Sequence, residues 1–436
     1  MTRLLILSSS GGAGHVRAGQ ALEAACRERR PDIEVAHHDV LEFCGRPTRM
    51  MVADVYLEIV NRAPGLYRFF YEKSDRELSK RTQALVRKYD RLAYRTLAKR
   101  VAEFAPDAIV CTHFLPAHVM VAKRSQVRGP GSKVQSPGLQ VQSAKSGVPS
   151  PESKVRLTGV RGFLESTGLH KALGRGKGGA GESSGPPGVR PPSISVVLTD
   201  YDAHYFWINP GLDRYFVGSD EVRHLLGCRG IPGDRVRVSG IPIHPVFTRS
   251  LGREAAARAV GADPRRQTVL VMSGGFGVGH VEETLQRLLA AAPQAQFLVI
   301  AGKNESLQRK REAVAGGAAG RVRVFGFVAN IQDHMEASDL AVTKAGGLTV
   351  TECLARGLPM AVFNPIPGQE EMNADWLVEY GAAVKVKHPD LLGFQLDRLL
   401  GDGARLEAMK RAARRLARPD AAFAILKDVL GPSNDK

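Results

Sequence analysis

Long hydrophobic runs are missing from this chain. No stretch approaches the roughly 18 apolar residues that a bilayer span requires, although hydrophobic residues make up 43% of the 436. A chain of that length and composition builds sizeable cores and divides into two or three domains. Cysteine is also scarce. Cys26, Cys44, Cys111, Cys228 and Cys353 are odd in number, scattered and free of any CxxC pair, which argues against structural zinc and suits a reducing cytosol. Acidic residues are the third shortage, 44 against 61 basic for a net charge of +17. The imbalance is uneven: residues 1–125 hold 21 basic and 14 acidic side chains, residues 126–192 hold 10 and 3, and residues 193–436 hold 30 and 27. Basicity in the N-terminal part suits a polyanion or a surface of anionic lipid headgroups. The opening MTRLLILSSSGG runs from a short apolar strand straight into glycines, so it reads as folded structure rather than a signal peptide.

What is present is alternation. Leu4–Leu7 is a buried-strand pattern, followed by the glycine loop Ser8–His15, a helix from about Arg17 to Arg29 and a strand at Ile33–His37. Ala108–Thr112 and Ser195–Thr199 are further strands. From Thr268 a second series begins, with TVLVM, VEETLQRLLAAA, FLVI, VRVFGFV, NIQDHMEASD and LAVT alternating strand and helix. Strands alternating with helices predict two parallel sheets covered on both faces, an α/β class. The expected division is 1–243, 244–415 and a C-terminal helix at 416–436 that packs back on the first domain. Residues 126–192 interrupt the first series with GPGSK, SPGLQ, GRGKGGAGESSGPPG and VRPPS. Such a segment buries too little apolar surface to offset its ordering entropy, so it is expected to be a disordered insertion, with a short helix conceivable at Phe163–Leu173.

The densest motif is Thr343–Glu370, TKAGGLTVTECLARGLPMAVFNPIPGQE. A strand, a glycine turn and a helix put Gly346 and Gly347 at a helix N-terminus, where free N–H groups and the dipole favour a phosphate. Thr349 adds a hydroxyl donor and Lys344 a positive charge. Glu352 follows one turn later. By position alone it is an ordinary helix residue, but its carboxylate also accepts two ribose hydroxyls. Gln369 and Glu370 are turn residues or sugar-hydroxyl partners. Gly274, Gly275, Phe276 and Gly277 form a second strand-to-helix loop that could grip a diphosphate from the other side. In the first half, Gly12 and Gly14 clear the approach to His15, whose imidazole suits a general base. Asp200 ends the strand SVVLTD, where α/β sheets place functional groups; it orients or replaces His15 as base, or caps the next element. Tyr67, Phe69, Phe70 and Tyr71, with Arg62 and Arg68, belong to a helical core packing or to an amphipathic membrane-interface surface.

The motifs SSSGGAGH, APGLYRFFYEKSD, VVLTDYDAHYFW, VSGIPI, SGGFGVG, FVANIQDHMEASD and TKAGGLTVTECLARGLP…IPGQE follow one another in order. As a set they resemble the monogalactosyldiacylglycerol synthase and processive diacylglycerol β-glucosyltransferase family, relatives of the peptidoglycan N-acetylglucosaminyltransferase. The resemblance implies the GT-B fold, two Rossmann-like domains facing across a cleft. It implies an inverting 1,2-diacylglycerol 3-β-glycosyltransferase that takes glucose or galactose from a UDP-sugar without metal or other cofactor. Asp200-Tyr201-Asp202 has DxD spacing but lies in the acceptor half. Under the resemblance His15 matches the base and Gly274–Gly277 and Gly346–Thr349 the phosphate loops. Phe327 and Val328 flank the uracil, Glu352 holds ribose, and Gln369 and Glu370 hold the sugar. The implied partners are the donor, diacylglycerol and anionic membrane lipids, with no nucleic acid, at the cytoplasmic face as a peripheral protein. Alternatives are a polyprenyl or small soluble acceptor, or a UDP-N-acetylglucosamine 2-epimerase. This loop reads GGAGH where many relatives carry GGGH, which matters if position 13 needs positive φ. Deleting residues 126–192 is expected to leave turnover on detergent-dispersed lipid intact; a collapse of activity would show the segment to be part of the enzyme's working structure.

Overall fold

The computed structural model describes residues 2–45, 49, 59, 62–76, 93–127, 191–272, 281–302 and 320–432. One compact unit comprises 1–123 and 191–436 and holds both sheets; the other, 124–190, lies outside the described residues apart from the end of one helix. The expected insertion at 126–192 and the conceivable helix at Phe163–Leu173 therefore fall almost wholly outside them.

The first half contains β1 (Arg3–Ser8), α1 (Ala13–Arg29), β2 (Glu34–Asp39), α2 (Pro64–Ser74), α3 (Arg95–Phe104), β3 (Ala108–Cys111), α4 (Phe114–Val127), β4 (Ser193–Val197), β5 (Arg214–Val217), α5 (Asp220–Cys228) and β6 (Val236–Val238). The second contains α6 (Arg253–Ala259), β7 (Thr268–Met272), α7 (Val281–Ala291), β8 (Gln296–Ile300), β9 (Val322–Phe325), α8 (Ile331–Glu336), β10 (Leu340–Thr343), α9 (Gly347–Ala355), β11 (Met360–Phe363), α10 (Gln369–Glu379), β12 (Ala383–Val386), α11 (Leu391–Gly401), α12 (Gly403–Leu416) and α13 (Ala421–Leu430). Two six-stranded sheets result, ordered β2-β1-β3-β4-β5-β6 and β12-β11-β10-β7-β8-β9. Their pairings are parallel throughout. The α/β class and both alternating series stand as expected.

Continuous apolar strands explain why both faces of each sheet are covered. Leu4, Leu5, Ile6 and Leu7 of β1 are at most 1% exposed. Leu4 and Ile6 pack with Leu22 and Cys26 of α1 and with Phe423 and Ile425 of α13. Leu5 and Leu7 turn the other way, towards Val40, Tyr94 and Leu97. The last helix thus closes one face of the first sheet, and Arg29 of α1 lies over the Phe423 ring at 3.6 Å. Arg214 and Arg237 both reach Asp428.

In each sheet the strand order reverses once, between β1 and β3 in the first and between β7 and β10 in the second. Parallel sheets bind ligands beyond the carboxyl ends of the strands at such reversals. Ser9–Gly12 and Thr112–His113 stand at the first reversal, and Lys344–Gly347 at the second. The helix after β1 begins at Ala13, four residues before the expected Arg17. Gly12 is extended at its N-cap, with φ −156°, and the first-turn N–H groups of Ala13–His15 need no intrahelical partner. His15 accordingly stands in the first turn of α1. Ala13 is helical and is not among the positive-φ residues, so a Cβ is tolerated there.

Ile425 is fully buried among first-half residues. Ile425→Ala should lower unfolding free energy in urea by about 2–5 kcal/mol; a change below about 0.5 kcal/mol, typical of an exposed site, would mean α13 is not docked on the first sheet.

Candidate functional site

His15 is held by the end of β3 and the end of β4. Its Nδ1 lies 2.9 Å from the Thr112 carbonyl oxygen and 2.9 Å from Thr199 Oγ1. A carbonyl only accepts, so Nδ1 carries the proton and Nε2 keeps its lone pair. Thr112 Oγ1 donates back to the His15 carbonyl at 2.7 Å, locking strand end and helix start together. The ring edge meets His113 with centroids 4.5 Å apart, and a Cβ on Gly12 would stand 3.4 Å from the ring. Burial pushes the His15 imidazole down to about 4, against a smaller upward pull from the Thr112 carbonyl. His113 is displaced in the same direction, first by burial and then by His15 and His118.

Asp200 lies at the other side of Thr199. It does not orient His15: the Thr112 carbonyl and the Thr199 hydroxyl occupy Nδ1. Its Oδ1 accepts from Asn373 Nδ2 at 2.9 Å. Burial raises its carboxyl to about 6, the Asn373 bond lowers it, and Asp202 adds a further upward push. Asn373 is fully buried. Its amide also donates to the Ala345 carbonyl at 2.9 Å, and its oxygen accepts the Tyr201 N–H at 2.7 Å. Tyr201 stacks on Trp376 with centroids 4.0 Å apart and donates to or accepts from Thr351 Oγ1 at 3.0 Å.

The second half meets these groups through the motif at 343–370. Gly346 is the N-cap of α9, and a Cβ on Gly347 would lie 1.8 Å from the Thr199 carbonyl oxygen and 3.3 Å from Asp200 Oδ1. Only glycine fits there, for steric reasons rather than for φ. Thr349 is half-buried in the first turn of α9, and Lys344 is half-buried before it. Glu352 is 2% exposed, and its Oε1 takes a hydrogen bond from Arg17 Nη2 of α1. Burial raises the Glu352 carboxyl while Arg17 draws it down. Gln369 begins α10 and accepts from Tyr67 Oη at 2.7 Å. Glu370 Oε2 accepts the Ile366 N–H at 2.7 Å; burial raises its carboxyl, partly offset by that bond and by Lys344. A Cβ on Gly346 would stand 3.4 Å from Glu370 Oε1. Gly14 faces Leu348, and a Cβ added there would make an ordinary van der Waals contact of 3.5 Å with that side chain.

The remaining residues divide. Phe327 is 79% exposed in the loop after β9, with Val328 half-buried beside it. Gly274, Gly275, Phe276 and Gly277 lie outside the described residues. On α2, Tyr67 and Tyr71 face inward; the Tyr71 ring crowds Gly368, whose added Cβ would sit 2.7 Å away. Phe69 and Phe70 face solvent at 53% and 45%, joined by Leu66 at 49%. The sequence reading missed Arg17, Thr112, His113, Thr199 and Asn373. Asn373 had a signal, since it falls four residues after Gln369 on the same helix face. Among the described residues no group of three or more His, Cys, Asp or Glu is placed to hold a metal ion, and no helix is long and apolar enough to cross a membrane.

Two parallel six-stranded sheets that meet at their reversal points define the GT-B architecture. Solved structures share it: Acinetobacter baumannii MurG has a TM-score of 0.56 at 14% identity, covering 99% of this chain and 100% of that one. A UDP-GlcNAc 2-epimerase from Neisseria meningitidis bound to UDP-GlcNAc has a TM-score of 0.53 at 12% identity, with 99% and 100% covered. The monogalactosyldiacylglycerol (MGDG) synthase family profile matches residues 15–130 and 187–243, and the glycosyltransferase family 28 C-terminal domain matches residues 268–425. The two domain profiles thus follow one another along this chain. It is 32% identical over 240 residues to the processive diacylglycerol beta-glucosyltransferase of Bacillus pumilus, covering 55% of this chain and 62% of that protein. The Bacillus subtilis protein of the same description is 31% identical over 237 residues, covering 54% and 62%. The aligned region thus spans about three fifths of these relatives' length.

An unfolded histidine titrates near 6.5, and His15 in the fold near 4. Between those values the unfolded chain binds the proton more readily, so the stability from neutral His15 is complete above pH 6.5 and lost as pH falls towards 4. Urea unfolding at pH 7 and pH 4 should show the wild type losing roughly 3 kcal/mol more than His15→Gln; parallel losses would contradict the burial of this ring. His113 leaves the variant some acid sensitivity of its own.

Proposed function

We propose that the chain is a UDP-sugar-dependent hexosyltransferase that moves glucose or galactose to the hydroxyl of diacylglycerol with inversion, giving a β-glycolipid. The observation that carries this reading is the meeting of Gly346–Gly347, Glu352 and Gln369 with Thr199–Asp200, Arg17 and Tyr67 from the other sheet. Residues 244–415 would hold the donor and residues 1–243 the acceptor. The α9 N-terminus, Thr349 and Lys344 suit the diphosphate, which gains charge as it leaves; amides and a helix dipole stabilise such charge without a metal. Gly274–Gly277 would complete that cradle. Glu352 suits the ribose hydroxyls, Gln369 and Glu370 the hexose, and Phe327 and Val328 the uracil.

His15 suits the base because its proton is committed to Nδ1 and Nε2 is free to take the acceptor's proton. Attack from the first half, opposite the departing diphosphate, inverts the anomeric carbon. Asp200 remains the second acid–base group of the site. The acceptor side is supported by Leu66, Phe69 and Phe70 on α2, an exposed apolar face suited to the interface of a membrane. The basic excess of residues 1–192 would draw that face to anionic lipids, so the protein is expected at the cytoplasmic face as a peripheral protein. A 2-epimerase of this fold has no use for such a surface.

Vesicles of diacylglycerol and anionic phospholipid, incubated with UDP-glucose and UDP-galactose separately, should yield a glycosyldiacylglycerol from one or both. His15→Ala should lower the rate on the order of 10²- to 10⁴-fold. Conversion of UDP-N-acetylglucosamine to its 2-epimer with no lipid product would overturn this reading in favour of the epimerase.

A further inference from the structure

Glu352 is a carboxylate that burial has almost removed from water, 2% exposed, and the cation that meets it comes from the opposite sheet. Arg17 is on α1, two residues past His15, and its own side chain is 44% exposed. The two ends of this pair are therefore unlike. Arg17 released from Glu352 returns to water at small cost, whereas Glu352 released from Arg17 stays buried and needs new donors. A carboxylate only accepts, and two ribose hydroxyls are the donors that the proposed function gives it. They compete for the oxygen that Arg17 holds and for the space its guanidinium fills.

The same substitution recurs nearby. Gln369, assigned to a hexose hydroxyl, carries the Tyr67 hydroxyl at 2.7 Å. Gly347, assigned to phosphate, has the Thr199 carbonyl against its Cα and Asp200 Oδ1 beside it. Each donor-side group thus carries a first-half group of the chemistry it would bind, or of the charge that would be displaced. Arg17 is the strongest case, a guanidinium paired with a buried carboxyl group.

We propose that Arg17 is a residue of the donor site: it is the resident counter-ion of Glu352, and the ribose of an incoming nucleoside diphosphate must displace it. This rests on the reading of Glu352 as the ribose carboxylate. Nucleotide binding then works against the Arg17–Glu352 attraction and loosens α1 from α9, carrying the turn before His15 with it. Removing Arg17 leaves Glu352 buried without its cation, so nucleotide has more to gain. A substitution that weakens the fold should strengthen the ligand.

The test is a double-mutant cycle on the full chain with UDP as the probe, read by titration calorimetry and by thermal melting without UDP. Arg17→Ala should lower the UDP dissociation constant about tenfold, equivalent to about 1.4 kcal/mol, and should lower the melting temperature. Arg17→Lys, which keeps the charge, should fall between it and the wild type in both. In a Glu352→Gln background, Arg17→Ala should change neither. Weaker or unchanged UDP binding in Arg17→Ala, or an equal effect with and without Glu352, overturns the proposal. No UDP binding by any of the proteins, with the melting coupling intact, overturns the nucleotide reading itself and the displacement with it; an uncoupled melting temperature sinks the pair alone.

Discussion

The buried side chain of Asn373 is the contact on which the meeting of the two sheets depends. Its amide donates to Asp200 and to the Ala345 carbonyl, and its oxygen accepts from the Tyr201 backbone. One fully buried group thereby joins the loop after β4 to the turn between β10 and α9. A buried amide is costly unless its donors and acceptor are met, so the three bonds fix the distance between the loops within hydrogen-bond tolerance. Gly347 is the steric counterpart of that requirement: at this spacing the Thr199 carbonyl leaves no room for a Cβ. The Tyr201–Trp376 stack and the apolar cluster that runs from Ala18 and Ile241 to Leu348 and Val350 extend the same junction.

That junction decides the electrostatics. Burial where the sheets meet moves four groups towards their neutral forms: His15 down, Asp200, Glu352 and Glu370 up. The opposing pulls are local and few, a backbone carbonyl at His15, Asn373 at Asp200, Arg17 at Glu352 and a backbone N–H at Glu370. His15 and Asp200 end with their ordinary order reversed, about 4 against about 6. Burial is the largest cause of both shifts. A site of this kind is poised by its packing, and whatever enters or parts the junction changes several proton affinities together.

Much of this was legible in the sequence, for identifiable reasons. Continuous apolar strands such as Leu4–Leu7 and Leu340–Thr343, each followed by glycine and a helix, predict parallel strands buried on both faces. The order of the two series then predicts two sheets. Gly346, Glu352 and Gln369 are legible as candidates because each stands at a fixed offset from a strand end. What the sequence hid was the pairing across the junction. Arg17 and Glu352 are 335 positions apart, and neither has a local pattern naming the other. Thr112 meets the His15 ring through its carbonyl, which every residue carries. The start of α1 differs by four residues because the glycine loop reads on to His15 in the sequence, whereas Ala13, Gly14 and His15 already form the first turn of the helix.

The aromatic segment shows how a periodicity can hold two answers at once. Core packing and an interfacial surface are rival readings of the aromatic run at 55–71, and α2 turns some of its aromatics inward and others to solvent. Positions 66, 69, 70 and 73 fall on one helical face, and 67, 71 and 74 on another. The first face is exposed apolar surface with Lys73 near the Phe69 ring. The second is committed inward, Tyr67 to Gln369, Tyr71 to Gly368 and His204, and Ser74 to His204. Because the helix is a rigid rod only eleven residues long, a displacement imposed on one face is transmitted to the other. A surface that took up Phe69 and Phe70 would therefore act on the turn that carries Gln369, and under the proposed function this would couple the lipid phase of the acceptor to the hexose of the donor through the same three turns of helix.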